Sequence, residues 1–246
     1  MDTSVAAIAG EFMGTAVLIL LGEGVVGAAV LAKTKAANAG WLAITVGWGL
    51  AVFLGIVVAA ALGDTDGHLN PAFTIASVVM SGHAERLWTY IPAQLAGAFT
   101  GAVLGWALFF PHWQSTTNAD DKLAVFCTTP AIRHPISNFL AEVIGTFVLV
   151  MGATALASKR ISPAGTAPAM GPLLVGGLVW SIGLSLGATT GYAINPARDL
   201  APRLAHMLLP IPNKRDSDWG YAWIPVLGPI CGALLAALFV NWTGMR

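Results

Sequence analysis

Two copies of an asparagine-proline-alanine triplet stand out in the sequence, because their asparagine side chains can form hydrogen bonds. They begin at Asn70 and Asn195, which lie 125 residues apart. An asparagine amide carries both a hydrogen-bond donor and an acceptor. Asparagine is also a favoured N-cap, and proline suits the first position of a helix. Each triplet therefore predicts a helix start that presents hydrogen-bonding groups. The triplets are completed by Pro71, Ala72, Pro196 and Ala197.

Two glutamates precede the triplets at matching positions. Glu11 and Glu142 each begin a Glu-x-x-Gly-Thr motif inside a long apolar run, 131 residues apart. An ionisable group in such a run is costly to bury and indicates a function. One interpretation is a proton relay in a coupled transporter, and the other is a buried acceptor for backbone N–H groups. Duplication favours the second, because a bracing role repeats with the fold whereas a relay needs one path. Glu23 has no acidic counterpart, since Thr154 stands at the equivalent offset, and no role is assigned to it.

The elements that must position these residues are apolar helices. The chain has 246 residues, of which 56% are hydrophobic and 10% charged, whereas a soluble domain carries about 25% charged residues. A membrane span needs roughly 20 apolar residues, and six runs approach or exceed that length. They are Val5–Leu31, Trp41–Leu62, Leu87–Phe109, Ile136–Ala157, Met170–Gly187 and Gly220–Trp242. Two further apolar runs, 71–80 and 196–208, begin at the triplets and are about half as long. The composition thus predicts an all-α membrane protein with six transmembrane helices and two re-entrant half-helices.

The chain is an internal repeat within one transmembrane domain, residues 1–246. The repeated units are about 5–109 and 136–242, joined by a linker at about 110–135. Each unit has three spans, an odd number, so the second enters the membrane from the opposite side and the repeats are inverted. Short segments at matching places in two halves indicate a transport site.

These motifs resemble the aquaporin, or major intrinsic protein, family over essentially the whole chain. Asp199 directly after Arg198, within the string 191–199, is similar to the glycerol-facilitator branch. The resemblance implies a passive homotetrameric channel that conducts glycerol and other small uncharged solutes, with water, and excludes ions and protons. It implies no cofactor, no metal and no enzymatic activity. It also implies a cell-membrane location with both termini in the cytoplasm. Loop lysines and arginines favour the reverse orientation by the positive-inside rule, but the motif ties Arg198 to the outer mouth.

The resemblance further implies a constriction formed by Trp48, Gly183, Tyr192 and Arg198. Water-selective members have histidine at the Gly183 position, so glycine there is expected to leave room for a carbon chain. Tyr192 stands where glycerol facilitators usually have phenylalanine. The two triplet asparagines are expected to point amide donors into the centre of the pore. The remaining residues expected to line the pore or support its loops are His68, Glu11, Glu142 and Asp199.

Two alternatives stay open beside the glycerol channel. A water-selective channel is disfavoured by Gly183 and Asp199, and a proton-coupled transporter requires a titrating glutamate. Other solutes that would fit are urea, dihydroxyacetone and undissociated small acids. No metal-ligand spacing, nucleophile elbow or phosphate loop is present in the sequence, which makes an enzyme the least favoured class. The acidic loop 64–66 is expected to be a solvated turn, with lining of the inner vestibule as the alternative.

Overall fold

The computed structural model describes residues 3–64, 66–161, 163–167 and 169–245. The secondary structure of these residues is helical, with ten α-helices and one 3-10 turn. In chain order the α-helices are α1 (Thr3–Val30), α2 (Gly40–Ala61), α3 (Pro71–Ser81), α4 (Arg86–Leu108), α5 (Phe110–Ser115), α6 (Ala119–Phe126), α7 (Pro135–Ala157), α8 (Met170–Ser185), α9 (Pro196–Leu208) and α10 (Trp223–Thr243).

Five helices are long and apolar enough to cross a membrane, namely α1, α2, α4, α7 and α10. The sixth predicted span is shorter than expected, because α8 has 16 residues and ends at Ser185. At a rise of 1.5 Å per residue it is about 24 Å long. The 3-10 turn Gly187–Thr189 follows it, and the chain then turns at Gly191 with a φ of +81°. This break lets the segment before the second triplet leave the helix axis.

The two short helices α3 and α9 begin at the triplets, as predicted. Asn70 and Asn195 are their N-caps, both with extended backbone at φ −154°. The Asn70 side chain accepts a hydrogen bond from Ala72 N at 2.9 Å, and the Asn195 side chain accepts one from Ala197 N at 3.0 Å. The caps satisfy backbone donors that the first turn leaves without helical partners.

Residues 110–135, predicted as a linker, contain the two short helices α5 and α6. Trp113 and Phe126 from these helices are buried and stack with ring centroids 5.6 Å apart. The Trp113 indole donates to the Trp106 carbonyl at 2.9 Å. Apolar side chains therefore fold this segment onto the core.

The first and last long helices pack together in each of the two predicted repeat units. In the first, α1 packs against α4, and in the second α7 packs against α10. A Cβ atom on Gly97 of α4 would lie 2.2 Å from the Phe12 carbonyl oxygen, and one on Gly232 of α10 would lie 2.3 Å from the Val143 oxygen. Only glycine allows these backbones to approach so closely. This close glycine contact of the first predicted unit therefore has a counterpart in the second.

Candidate pore and constriction

The first turns of α3 and α9 meet through reciprocal hydrogen bonds. Asn70 Nδ2 donates to the Ile194 carbonyl at 2.8 Å, and Asn195 Nδ2 donates to the Leu69 carbonyl at 2.8 Å. Each amide nitrogen carries two N–H groups, so one remains for a solute. We expected both amides to be free donors. In the structure, one of the two N–H donors of each amide forms a hydrogen bond that joins the two loops.

Glu11 holds the loop before the first triplet. Its carboxylate accepts from His68 N at 2.6 Å and from Leu69 N at 2.8 Å, and its side chain is completely buried. Gln94 Nε2 also donates to it at 2.8 Å. Leu69 has a φ of +51°, a conformation that L-residues rarely adopt. Strained backbone of this kind persists only where the surroundings fix it.

Glu142 makes the equivalent contacts in the second half. It accepts from Ala193 N at 3.0 Å and from Ile194 N at 2.8 Å, and it is 1% exposed. Ile194 has a φ of +43°, which is unusual for a β-branched residue. Both glutamates thus have the backbone partners that a bracing role requires.

A cavity of about 540 Å³ runs past this junction. Trp48, Tyr192 and Arg198 line one end of it, and Asn70 and Asn195 line its middle. At the other end it is lined by loop and helix residues that include Asp64, Asp66, His68, Thr166 and Gly171. The structure therefore brings the predicted centre and three of the four predicted constriction residues to one continuous cavity.

Arg198 and Trp48 lie against each other in the wall of this cavity. Both side chains are buried, and the Arg198 guanidinium carbon lies 3.9 Å from the centroid of the Trp48 ring. Arg198 belongs to the first turn of α9, and Trp48 belongs to α2. Stacking on an aromatic face is a favoured contact for a guanidinium and leaves its in-plane N–H donors free.

Gly183 provides space for the Tyr192 ring, whereas the sequence analysis assigned that space to a solute. A Cβ on Gly183 would lie 2.8 Å from Tyr192 Cζ, and one on Gly187 would lie 2.4 Å from Tyr192 Cδ1. Gly183 lies in α8 and Gly187 in the 3-10 turn that follows it, and together they make a recess for the ring. Gly183 thus lies behind the Tyr192 ring, which lines the cavity.

Trp41 contacts two of the predicted constriction residues, and the sequence analysis did not single it out. Its indole Nε1 donates to the Gly183 carbonyl at 3.1 Å, and its ring meets the Tyr192 ring edge-on with centroids 5.7 Å apart. Trp41 stands seven residues before Trp48 on α2, which places both on the same face after two turns. That spacing was the signal that could have identified it.

Comparison with known proteins assigns this arrangement to a family. Residues 2–240 match the family described as "Major intrinsic protein". The chain belongs to the major intrinsic protein family. It is 51% identical over 233 residues to the "Probable glycerol uptake facilitator protein" of Thermotoga maritima, covering 94% of this chain and 97% of that one. It is also 51% identical over 230 residues to the "Glycerol uptake facilitator protein" of Streptococcus pneumoniae strain R6, covering 93% and 95%.

A solved structure extends the likeness to three dimensions. The aquaglyceroporin from Plasmodium falciparum is similar with a TM-score of 0.83 and 28% sequence identity, covering 97% of this chain and 96% of that one. The all-α membrane fold predicted from the sequence is therefore confirmed. Membership of the major intrinsic protein family and the apolar helices make the chain an integral membrane protein.

In this family member, Asp199 pairs with Arg203 and not with its neighbour Arg198. Asp199 Oδ1 accepts from Arg203 Nε at 2.8 Å, and Oδ2 accepts from Thr128 N at 2.7 Å and Thr128 Oγ1 at 2.6 Å. Arg203 also donates to the Thr128, Ser217 and Asp218 carbonyls. Asp199 and Arg203 thus tie α9 to the loops around it, and the sequence analysis did not single out Arg203.

The acidic loop at the other end of the cavity is not the solvated turn that was expected. Asp64 is 1% exposed, and burial raises the pKa of its carboxyl group. Asp66 Oδ2 lies 2.6 Å from Arg86 Nη2 and accepts from the Tyr90 hydroxyl at 2.9 Å. Thr65 lies outside the described residues. Asp66 is thus tied to α4, and both aspartates line the cavity.

His68 lies in the cavity wall beside the first triplet, as expected. Its Nδ1 is 3.1 Å from Thr74 Oγ1. Its ring meets the Phe73 and Tyr90 rings edge-on at 5.3 Å and 5.2 Å. These contacts hold the imidazole against the start of α3.

Proposed function

We propose that this protein is a passive channel for glycerol and other small uncharged solutes, with water. The observation that carries the proposal is the continuous cavity, which joins the asparagine pair to the stacked Arg198 and Trp48. The names of the two bacterial relatives and of the similar solved structure support glycerol as the solute.

The proposed constriction suits a polyol because its two sides differ chemically. Trp48 and Tyr192 offer aromatic surface to the C–H face of glycerol, and Arg198 offers N–H donors to its hydroxyl groups. Asn70 and Asn195 then offer one N–H each at the centre. A solute exchanges water for these partners in single file.

Ion exclusion follows from the two helix starts. The N-termini of α3 and α9 both carry the positive end of a helix dipole, and they meet at the asparagine pair. A cation at this point meets a repulsive field, and a water molecule that accepts from both asparagines cannot relay a proton through the centre. In this proposal Glu11 and Glu142 brace the loops and carry no protons.

The proposal includes the arrangement in the membrane. Helices α3 and α9 are re-entrant half-helices in one domain of two inverted repeats. The chain forms a homotetramer in the cell membrane with both termini in the cytoplasm, which places Arg198 at the outer mouth. Urea, dihydroxyacetone and undissociated small acids belong to the same class of neutral solutes.

Stopped-flow light scattering on proteoliposomes tests the proposal. Glycerol should equilibrate faster than in empty liposomes, without a pH gradient and without accumulation above the external concentration. Water and urea measured on the same vesicles give the selectivity. Uphill glycerol uptake driven by a proton gradient would establish a coupled transporter, and water flux without glycerol flux would establish a water-selective channel.

A further inference from the structure

The ring of Tyr192 is held in the cavity wall by packing. It lines the cavity, its side chain is buried, and no described residue hydrogen-bonds to its hydroxyl. The backbone at Tyr192 has a φ of +39°, in the left-handed region that L-residues rarely adopt. Backbone in this region persists only where its surroundings fix it. The groups that pack on the ring therefore decide how far it extends into the cavity.

Trp41 contacts both this ring and the helix behind it. The Trp41 and Tyr192 rings meet edge-on, with centroids 5.7 Å apart and an interplanar angle of 79°. Trp41 Nε1 donates to the Gly183 carbonyl of α8 at 3.1 Å. Gly183 lies behind the ring, since a Cβ there would lie 2.8 Å from Tyr192 Cζ. The indole therefore occupies space beside α8 into which the Tyr192 ring could otherwise move.

The hydrogen bond to Gly183 fixes the position of the indole. Gly183 lies in the last turn of α8, which ends at Ser185, and carbonyl groups in the last turn of a helix lack intrahelical donors. Thr45, one turn after Trp41 on α2, is fully buried, and its Cγ2 would lie 3.0 Å from a Cβ on Gly183. The same helix carries Trp48, so α2 positions aromatic side chains on both the front and the back of the cavity wall.

We propose that Trp41 is a positioning residue that sets the width of the proposed constriction through Tyr192 and so determines which polyols pass. The indole blocks the space beside α8 and keeps the Tyr192 ring against the solute. A smaller side chain at residue 41 would let the ring withdraw, and the barrier to a bulkier polyol should then fall more than the barrier to glycerol. This inference rests on the proposed channel function and adds how its size limit is set.

The ratio of erythritol to glycerol permeability tests the proposal, measured by stopped-flow light scattering on proteoliposomes. A ratio does not depend on the amount of assembled protein, so a purely structural role of Trp41 would leave it unchanged. In Trp41→Leu the aromatic contact is lost, and the ratio should rise roughly threefold. In Trp41→Phe an aromatic edge remains and the indole N–H is lost, so the ratio should change by less than about twofold.

Trp223→Leu is the matched control. Trp223 is 45% exposed and its ring centroid lies 5.7 Å from that of Phe139, whereas Trp41 is 37% exposed with the same centroid distance to Tyr192. Neither Trp223 nor Phe139 is among the described residues that line the cavity. The control removes an aromatic pair of the same size and should leave the permeability ratio at the wild-type value.

A Gly183→Ala background shows whether the effect acts through the Tyr192 ring. The added methyl group would lie 2.8 Å from Tyr192 Cζ and push the ring toward the cavity, which should lower glycerol flux. Adding Trp41→Leu gives the ring space to withdraw, so part of the lost glycerol flux should return. No recovery in the double variant would overturn the proposal, because the two side chains would then not act on the same ring.

A wild-type ratio in assembled Trp41→Leu protein would also overturn it. An equal shift in Trp41→Phe would do the same, since the effect would then belong to the hydrogen bond and not to the ring contact. Trp41→Met is a second small variant, and failure of both Trp41→Leu and Trp41→Met to assemble would make Trp41 a folding residue and contradict the proposal. Glycerol uptake by the wild type tests the channel function separately, so the two failures are distinguishable.

Discussion

The centre of the cavity and its two ends are built differently. At the centre the crossed asparagine bonds and the backbone bonds of the two glutamates have counterparts in the other half. At the ends no contact is duplicated. One end has the acidic loop paired with Arg86, and the other has Arg198 stacked on Trp48. The duplicated contacts hold the two short helices together, whereas the unduplicated ones give each mouth its own chemistry.

The two glutamates show where the duplication ends. Glu142 accepts its two backbone donors with an equivalent geometry to Glu11, but their other neighbours differ. Glu11 also accepts from Gln94 and lies within hydrogen-bonding reach of the Asp64 carboxyl. Glu142 has the Thr190 hydroxyl beside it instead, so the same brace has an acidic neighbour in one half and a hydroxyl neighbour in the other.

This difference predicts unequal losses of stability on substitution by glutamine, which is the largest effect expected. In Glu142→Gln the new NH₂ group faces a backbone N–H, so buried donors lose their acceptor. The unfolding free energy should fall by about 3 kcal/mol in total. In Glu11→Gln the NH₂ group can donate to Asp64, so the loss should be about half as large. Thermal unfolding of the purified proteins measures both losses.

Glu85→Gln is the control, since it makes the same substitution at an exposed carboxyl group that pairs with His83. Equal losses for Glu11→Gln and Glu142→Gln would show that Asp64 does not distinguish the two braces. A change in proton coupling of solute flux in either variant would contradict the bracing role.

Substituting either asparagine by aspartate should have the next largest effect, and the effect should be symmetrical. An aspartate cannot donate to the opposite carbonyl, so Asn70→Asp loses the bond to Ile194 and Asn195→Asp loses the bond to Leu69. Each also places a carboxylate at two helix N-termini, which favour it. Cation leakage should rise by similar factors in both. Ion currents in planar bilayers measure it, and exclusion unchanged in both variants would mean that these side chains do not face the pore.

The sequence predicted the duplicated centre well, because its signals are local. Asn70 and Asn195 stand directly before prolines, so N-caps and helix starts follow from residue type alone. The acidic loop was predicted wrongly, because Asp66 finds Arg86 and Tyr90 on a different helix. The recess at Gly183 was also misassigned, since only the folded chain brings Tyr192 back over it. Long-range partners at the ends leave no periodic signal in the sequence.

The recess beside Tyr192 allows a test of the constricted end alone. Gly183→Ala would put a methyl group 2.8 Å from Tyr192 Cζ and push the ring toward the cavity. Glycerol permeability should fall about tenfold, since flux depends exponentially on the barrier, and water permeability should fall less. Gly177→Ala on the same helix is the control, because nothing lies within 4 Å of its Cβ position. Equal glycerol rates in the two variants would separate Gly183 from the constriction.

The smallest effect is expected for Tyr192→Phe. The Tyr192 hydroxyl is buried, and no described residue bonds to it. It lies 2.9 Å from the Cβ position of Gly183, against α8. Removing an unpaired buried hydroxyl should raise the unfolding free energy by about 1 kcal/mol. The ratio of glycerol to water permeability should change by less than about twofold, because the ring remains and about 1.4 kcal/mol is needed for a tenfold change.

In the Gly183→Ala background, Tyr192→Phe removes one of the close contacts, so it should restore part of the lost glycerol flux. A tenfold shift of the ratio in the single variant would mean that the hydroxyl faces the solute, and the constriction would then recognise polyols through Tyr192 as well as Arg198.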